Sequence, residues 1–140
     1  MRPIRWWVRP GLKTTVSPEI MTIRRMKTYT GGQGYVYQYY FVGKRPALPG
    51  TYEYAASEYV FDVTADRKTM FSVSVVVRED ALIAWADEHG RQLTEAEEYG
   101  AVKMRLFRGF DEVENMRQEG RTLLLDSLTL EALLASLGVE

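Results

Sequence analysis

Glu58-Tyr-Val-Phe-Asp-Val-Thr-Ala-Asp-Arg-Lys-Thr-Met-Phe-Ser-Val-Ser-Val-Val-Val-Arg78 carries two runs of period-two alternation back to back. In the first, Tyr59, Phe61 and Val63 alternate with Glu58, Asp62 and Thr64. That is the pattern of a half-buried strand, whose successive side chains point to opposite faces. In the second, Phe71, Val73, Val75 and Val77 share one face, and Ser72, Ser74 and Arg78 the other. The intervening Ala65-Asp66-Arg67-Lys68 suits a short loop. An antiparallel hairpin over 58–78 follows, with its aromatic and valine face turned to a core.

Upstream, Tyr35, Tyr37, Tyr39 and Phe41 alternate with Val36, Gln38, Tyr40 and Val42. Gly31-Gly-Gln-Gly34 is the clearest turn signal in the chain. Ile20 to Thr30 before it is β-compatible, although Arg24, Arg25 and Lys27 make it too charged for a buried strand. These segments read as a second hairpin around the glycines. Gly43 to Ser57, with Pro46, Pro49 and Gly50, reads as loop with room for a short strand at Tyr52-Glu-Tyr54. At the start of the chain Ile4, Trp6 and Val8 alternate with Arg5, Trp7 and Arg9 between two prolines. This fits a strand at a sheet edge, and equally a flexible arm whose arginines and tryptophans meet a partner.

Downstream the period changes to that of helices. Glu79-Asp80 is placed to cap a helix from Ala81 to His89, with Gly90 just past its end. Leu82, Trp85, Ala86 and His89 share one face of it. Thr94-Glu-Ala-Glu97 is a capping box opening a longer helix, whose stripe is Tyr99, Val102, Leu106, Phe110 and Val113. Asn115 to Gly120 breaks that stripe. Arg121 to Leu125 is a buried-strand candidate, and Asp126 or Ser127 caps a last helix through Leu137. The expected fold is α+β: an antiparallel sheet of about four to six strands, mostly from the N-terminal half, with about two or three helices from the C-terminal half packed on one face. One domain over 1–140 is expected, with 1–18 an edge strand or basic arm, 19–78 sheet and 79–140 a helical layer.

Composition narrows the chemistry. The chain has no cysteine, so it has no disulfide framework, thiolate nucleophile or sulfur metal site, and a cytoplasmic location fits. No run approaches the ~20 apolar residues of a membrane span. The single histidine, His89, has no second histidine to share a metal and no serine in a nucleophile-elbow setting. Placed in the last turn of a helix it suits the dipole there, a structural role. P-loop and dinucleotide fingerprints are absent, so no cofactor is expected. Glu58 and Asp62 lie on one strand face with Glu53 nearby, and a solvated polar face is the plainer reading beside a carboxylate–arginine–tyrosine pocket including Tyr54. Gly32-Gln-Gly-Tyr-Val36 overlaps an RNA-recognition signature but lacks its basic residue and its first and last aromatics, and the order of elements differs from that fold.

The net charge of −1 hides an asymmetry. Residues 1–50 hold nine Lys/Arg against Glu19 alone, a balance of +8; the remainder hold nine against eighteen acidic residues, −9. The two halves either pair within the molecule or present opposite surfaces to partners. The function expected is binding rather than catalysis, with another protein or a second copy as partner, through a surface of Arg24, Arg25, Lys27, Tyr35, Tyr37, Tyr39, Lys44 and Arg45. The face of the 20–42 hairpin turned from the helices is the expected contact for a homodimer, because large side chains line both faces of the tyrosine run. Nucleic-acid binding through the same basic and aromatic half is the alternative, and an enzyme using the Glu58 pocket a further one.

Overall fold

The 58–78 hairpin is the middle of the sheet. In the computed structural model, which describes residues 26–32 and 34–140, β3 spans Ala56–Thr64 and β4 spans Phe71–Arg78. They pair antiparallel with Phe61 opposite Val73 and Tyr59 opposite Val75. Phe61, Val63, Val73, Val75 and Val77 are fully buried. Asp66 ties the connecting loop: its carboxylate accepts the Lys68 and Thr69 N–H groups at 2.8 Å each, which with the Thr64 hydroxyl draws its pKa down to about 2.

Three more strands complete a sheet ordered β1-β2-β3-β4-β5. β1 (Lys27–Thr30) pairs antiparallel with β2 (Val36–Pro46), and β2 with β3. β5 (Thr122–Leu125) runs parallel to β4. The sheet is thus antiparallel but for this last pair, because helices return the chain to the same end of the sheet before β5 begins. Leu123 and Leu125 bring β5 into the core beside Val75 and Val77.

The helices are α1 (Glu79–His89), α2 (Glu95–Glu112), the single turn α3 (Met116–Glu119) and α4 (Ser127–Ser136). They pack on the Phe61/Val73/Val75 face. α2 opens with the expected capping box: the Glu97 N–H donates to Thr94 Oγ1 at 3.1 Å, and the Thr94 N–H donates to Glu97 Oε1 at 2.9 Å. Val102, Leu106 and Phe110 of the stripe are buried, with Tyr99 and Val113 half-buried. Leu123 packs so closely on this helix that a Cβ at Gly109 would lie 2.7 Å from Leu123 Cδ1, so the glycine sets the approach of β5 to α2. His89 stacks on buried Trp85 and meets the Glu131 carboxylate of α4 at 3.1 Å, joining the first and last helices.

Four sequence expectations change. Glu79 and Asp80 are not caps but the first turn of α1, since β4 runs straight into the helix and Arg78 is its N-cap without a side-chain bond. Strand β2 continues to Pro46, so the connection shrinks to residues 47–55, with Leu48-Pro49-Gly50-Thr51 a hydrogen-bonded turn (3.0 Å) and Gly50 at φ 88°. Tyr52-Glu-Tyr54 forms bends, not a strand. The polar face of β3 is not solvated: Glu58 is 8% exposed, Thr64 is buried, and Val60 and Val76 on the same face are buried as well. The expected strand or arm at 1–18, and Arg24 and Arg25, lie outside the described residues.

Burial of Phe61 from both neighbouring strands makes it a core reporter. Phe61→Ala is expected to cost ~3–5 kcal/mol in urea denaturation, as large-to-small changes do in packed interiors. A loss below about 1 kcal/mol would mean that the β3–β4 face is not the core.

Candidate functional site

A one-residue irregularity in β2 builds the site. Phe41 pairs with Phe61, but Gly43 pairs with Val60, so Val42 is an extra residue in the strand. Unbroken alternation would turn Lys44 away from the helices and Arg45 toward them. The bulge reverses both. Lys44, opposite Tyr59, faces the helices, and Arg45, opposite Glu58, faces away.

Each basic residue meets a carboxylate that a tyrosine also holds. On the helix side Glu98 of α2 accepts from Lys44 Nζ at 3.1 Å and from the Tyr59 hydroxyl. The Lys44 ammonium lies 5.2 Å from the Tyr59 ring centre. On the far side Glu58 accepts from Arg45 Nε and from the Tyr52 hydroxyl, at 2.8 Å each. Burial and the Glu98 carboxylate push the Tyr59 hydroxyl well above its ordinary pKa. Burial and the Glu58 carboxylate push Tyr52 up to about 12. Both phenols therefore stay protonated near neutrality and act as donors, not bases. Glu58 and Glu98 crosslink separate elements of the fold.

The expected interaction residues are scattered by this arrangement. Tyr37 and Tyr39, 3% and 4% exposed, are core residues, stacked and tilted against Phe110 of α2. Tyr35 is 51% exposed and Lys27 is exposed on β1, whereas Lys44 and Arg45 are committed to Glu98 and Glu58. Of the enzyme pocket expected around Glu58, Tyr54 does not reach the carboxylate. It stacks on Tyr52 at 5.5 Å and carries the Arg78 guanidinium 4.0 Å from its ring centre. Glu53 is exposed in the same connection.

What sequence reading missed is a groove that begins at Glu98. Leu82, Ile83 and Ala86 of α1 and Leu93 of the following connection line it, in a volume of about 340 Å³. Glu79, Asp87 and Glu98 stand around these apolar side chains. Glu79 also lines a second cleft, formed by the 47–55 connection. Ile83 is 55% exposed, and Leu48 of the second cleft 72%. Among the described residues neither Glu79 nor Asp87 makes an ion pair, and the nearby Arg78 and Arg91 are paired with Asp80 and Glu97. The sequence signal was present: residues 79–98 hold seven acidic residues against Arg91 alone. Ile83, standing next to the Leu82/Trp85 face, was the apolar residue out of place.

Among the described residues no cluster of His, Asp or Glu is placed to hold a metal ion, and no helix is long and apolar enough to cross a membrane. In comparisons with protein-family models, curated proteins and solved structures, nothing matches this chain.

The two raised tyrosines make stability sensitive to alkali. A group whose pKa is higher folded than unfolded contributes stability that is present below its unfolded pKa and is lost as pH rises toward the folded one. For Tyr52 the window runs from about 10 to about 12, and Tyr59 adds to the same loss from about 10 upward. The urea midpoint should fall steeply above pH ~10, and the Tyr52→Phe/Tyr59→Phe protein should show a flatter fall across that window. Parallel slopes would show that these phenols do not carry the effect.

Proposed function

We propose that this chain is a small non-enzymatic binding protein that acts through protein–protein contact, with a second copy of itself or another protein as partner, in the cytoplasm. The observation that carries the reading is the half-exposed Ile83 in an apolar groove whose acidic neighbours Glu79 and Asp87 have no ion pair among the described residues. Exposed apolar side chains ringed by charge are the composition of a contact surface, with the apolar centre supplying affinity and the charged rim orientation. The partner that fits is a basic segment with an apolar anchor. Catalysis finds less support, since both oxygens of Glu58 are taken by donors and Tyr52 and Tyr59 hold their protons. Nucleic-acid binding also finds less, since Lys44 and Arg45 are held by carboxylates.

Photo-crosslinking tests the reading in the cells that make the protein. A benzophenone side chain installed at Ile83 should give protein adducts heavier than the 16.1 kDa chain, identifiable by mass spectrometry. Asp87→Lys should remove them. The same group at Leu128, 83% exposed on α4, should give none of these adducts. No adduct at Ile83, or the same adducts from both positions, would overturn the groove as a binding surface.

A further inference from the structure

We infer that the groove beside Ile83 takes residues 1–13 of a second copy of this chain, and that two copies exchange these segments reciprocally; this rests on the protein-binding reading above. The groove asks for positive charge. Glu79 and Asp87 are exposed without an ion pair among the described residues, and the one basic residue of 79–98, Arg91, is bonded to Glu97 at 2.9 Å. It also asks for a large apolar side chain, because Leu82, Ile83 and Leu93 offer an open apolar lining.

Residues 1–13 supply both. They carry Arg2, Arg5, Arg9 and Lys13 with no acidic residue, and Ile4, Trp6, Trp7 and Val8 between the charges. Tryptophan flanked by arginine is the composition that dominates binding energy at protein contacts. Thirteen extended residues span at most about 45 Å, ample for the groove lined from Glu79 to Leu93. Residues 14–25 add up to about 40 Å between that segment and Met26, where the described chain begins, enough to cross to a neighbouring molecule. Every copy carries both the groove and its complement. Reciprocal exchange satisfies two grooves at once and closes on a two-fold axis, whereas one-way contacts would propagate into open chains.

The test uses full-length protein and two variants, Ile83→Glu in the groove and Trp6→Ala/Trp7→Ala in the segment, with far-ultraviolet circular dichroism confirming that each is folded. Sedimentation velocity of the wild type across the micromolar range should show a species of about twice the 16.1 kDa chain mass. It should weaken as salt rises to ~0.5 M, where screening shortens. Each variant alone should dissociate at least about tenfold more readily, as loss of an interface anchor requires. Mixed in equal amounts, the two variants should associate more than either alone and less than the wild type, because the intact segment of one meets the intact groove of the other while the second contact stays broken. A wild type that stays at 16.1 kDa throughout overturns the exchange and leaves the photo-crosslinking result to decide the groove. Association lost in Ile83→Glu but kept in Trp6→Ala/Trp7→Ala leaves the groove and removes this occupant. A mixture no more associated than either variant alone overturns the pairing of segment with groove.

Discussion

A single extra residue in β2, Val42, sets how this molecule is held together. Before it, the strand obeys the alternation that puts Tyr37, Tyr39 and Phe41 toward the helices. After it, the alternation restarts in the opposite phase, and Lys44 reaches α2 while Arg45 reaches the far face of β3. A strand without the bulge would aim the arginine at the core and the lysine at Glu58's face. The bulge therefore decides which cation each carboxylate receives, the lysine ammonium for Glu98 and the planar guanidinium for Glu58. With it, each face at this end of the sheet sets one cation beside one carboxylate.

The other end of β2 is held by rings. Tyr29 stacks on Phe107 at 4.5 Å and Tyr37 on Phe110 at 4.4 Å, each near-parallel. Such pairs contribute about 0.5–1.5 kcal/mol beyond the area they bury. Asp111, one residue past Phe110, accepts from the Tyr29 hydroxyl at 2.8 Å and from the Gly32 N–H at 3.0 Å. One helix end therefore clamps the β1–β2 turn. Burial and the Asp111 carboxylate raise the Tyr29 pKa, so this donor also stays protonated near neutrality. The tyrosine run that looked like a binding face is, for Tyr37 and Tyr39, the seam between sheet and helix.

The charge split acquires a physical meaning here. Two of the basic residues from the first fifty, Lys44 and Arg45, are spent on Glu98 and Glu58 from the acidic remainder. Part of the asymmetry is thus internal cancellation. Among the described residues the surplus is acidic, and seven acidic residues fall in 79–98, where Glu79 and Asp87 stand beside open apolar side chains. An acidic helix that buries only Ala81 and Trp85 keeps Ile83 half in water. Such a surface is better matched to a basic partner than to a phosphate backbone.

Periodicity alone determined the β3–β4 hairpin, the capping box at Thr94, the stripe of α2 and the α+β class. Each depends on which residues lie two, three or four apart, and burial of one face rewards that spacing locally. The parallel pairing of β5 was beyond it, because strand direction is set by the route of the helices between β4 and β5. So was the bulge at Val42, since an extra residue leaves the same residue types in the same order and changes only their phase. The fates of Tyr37, Tyr39, Lys44, Arg45 and Glu58 followed from that phase. The groove was decided later still: Leu82, Ile83 and Leu93 meet Glu98 only when α1 and α2 pack on one sheet. Sequence order fixes which side chains are available, and only packing fixes which of them are left facing water.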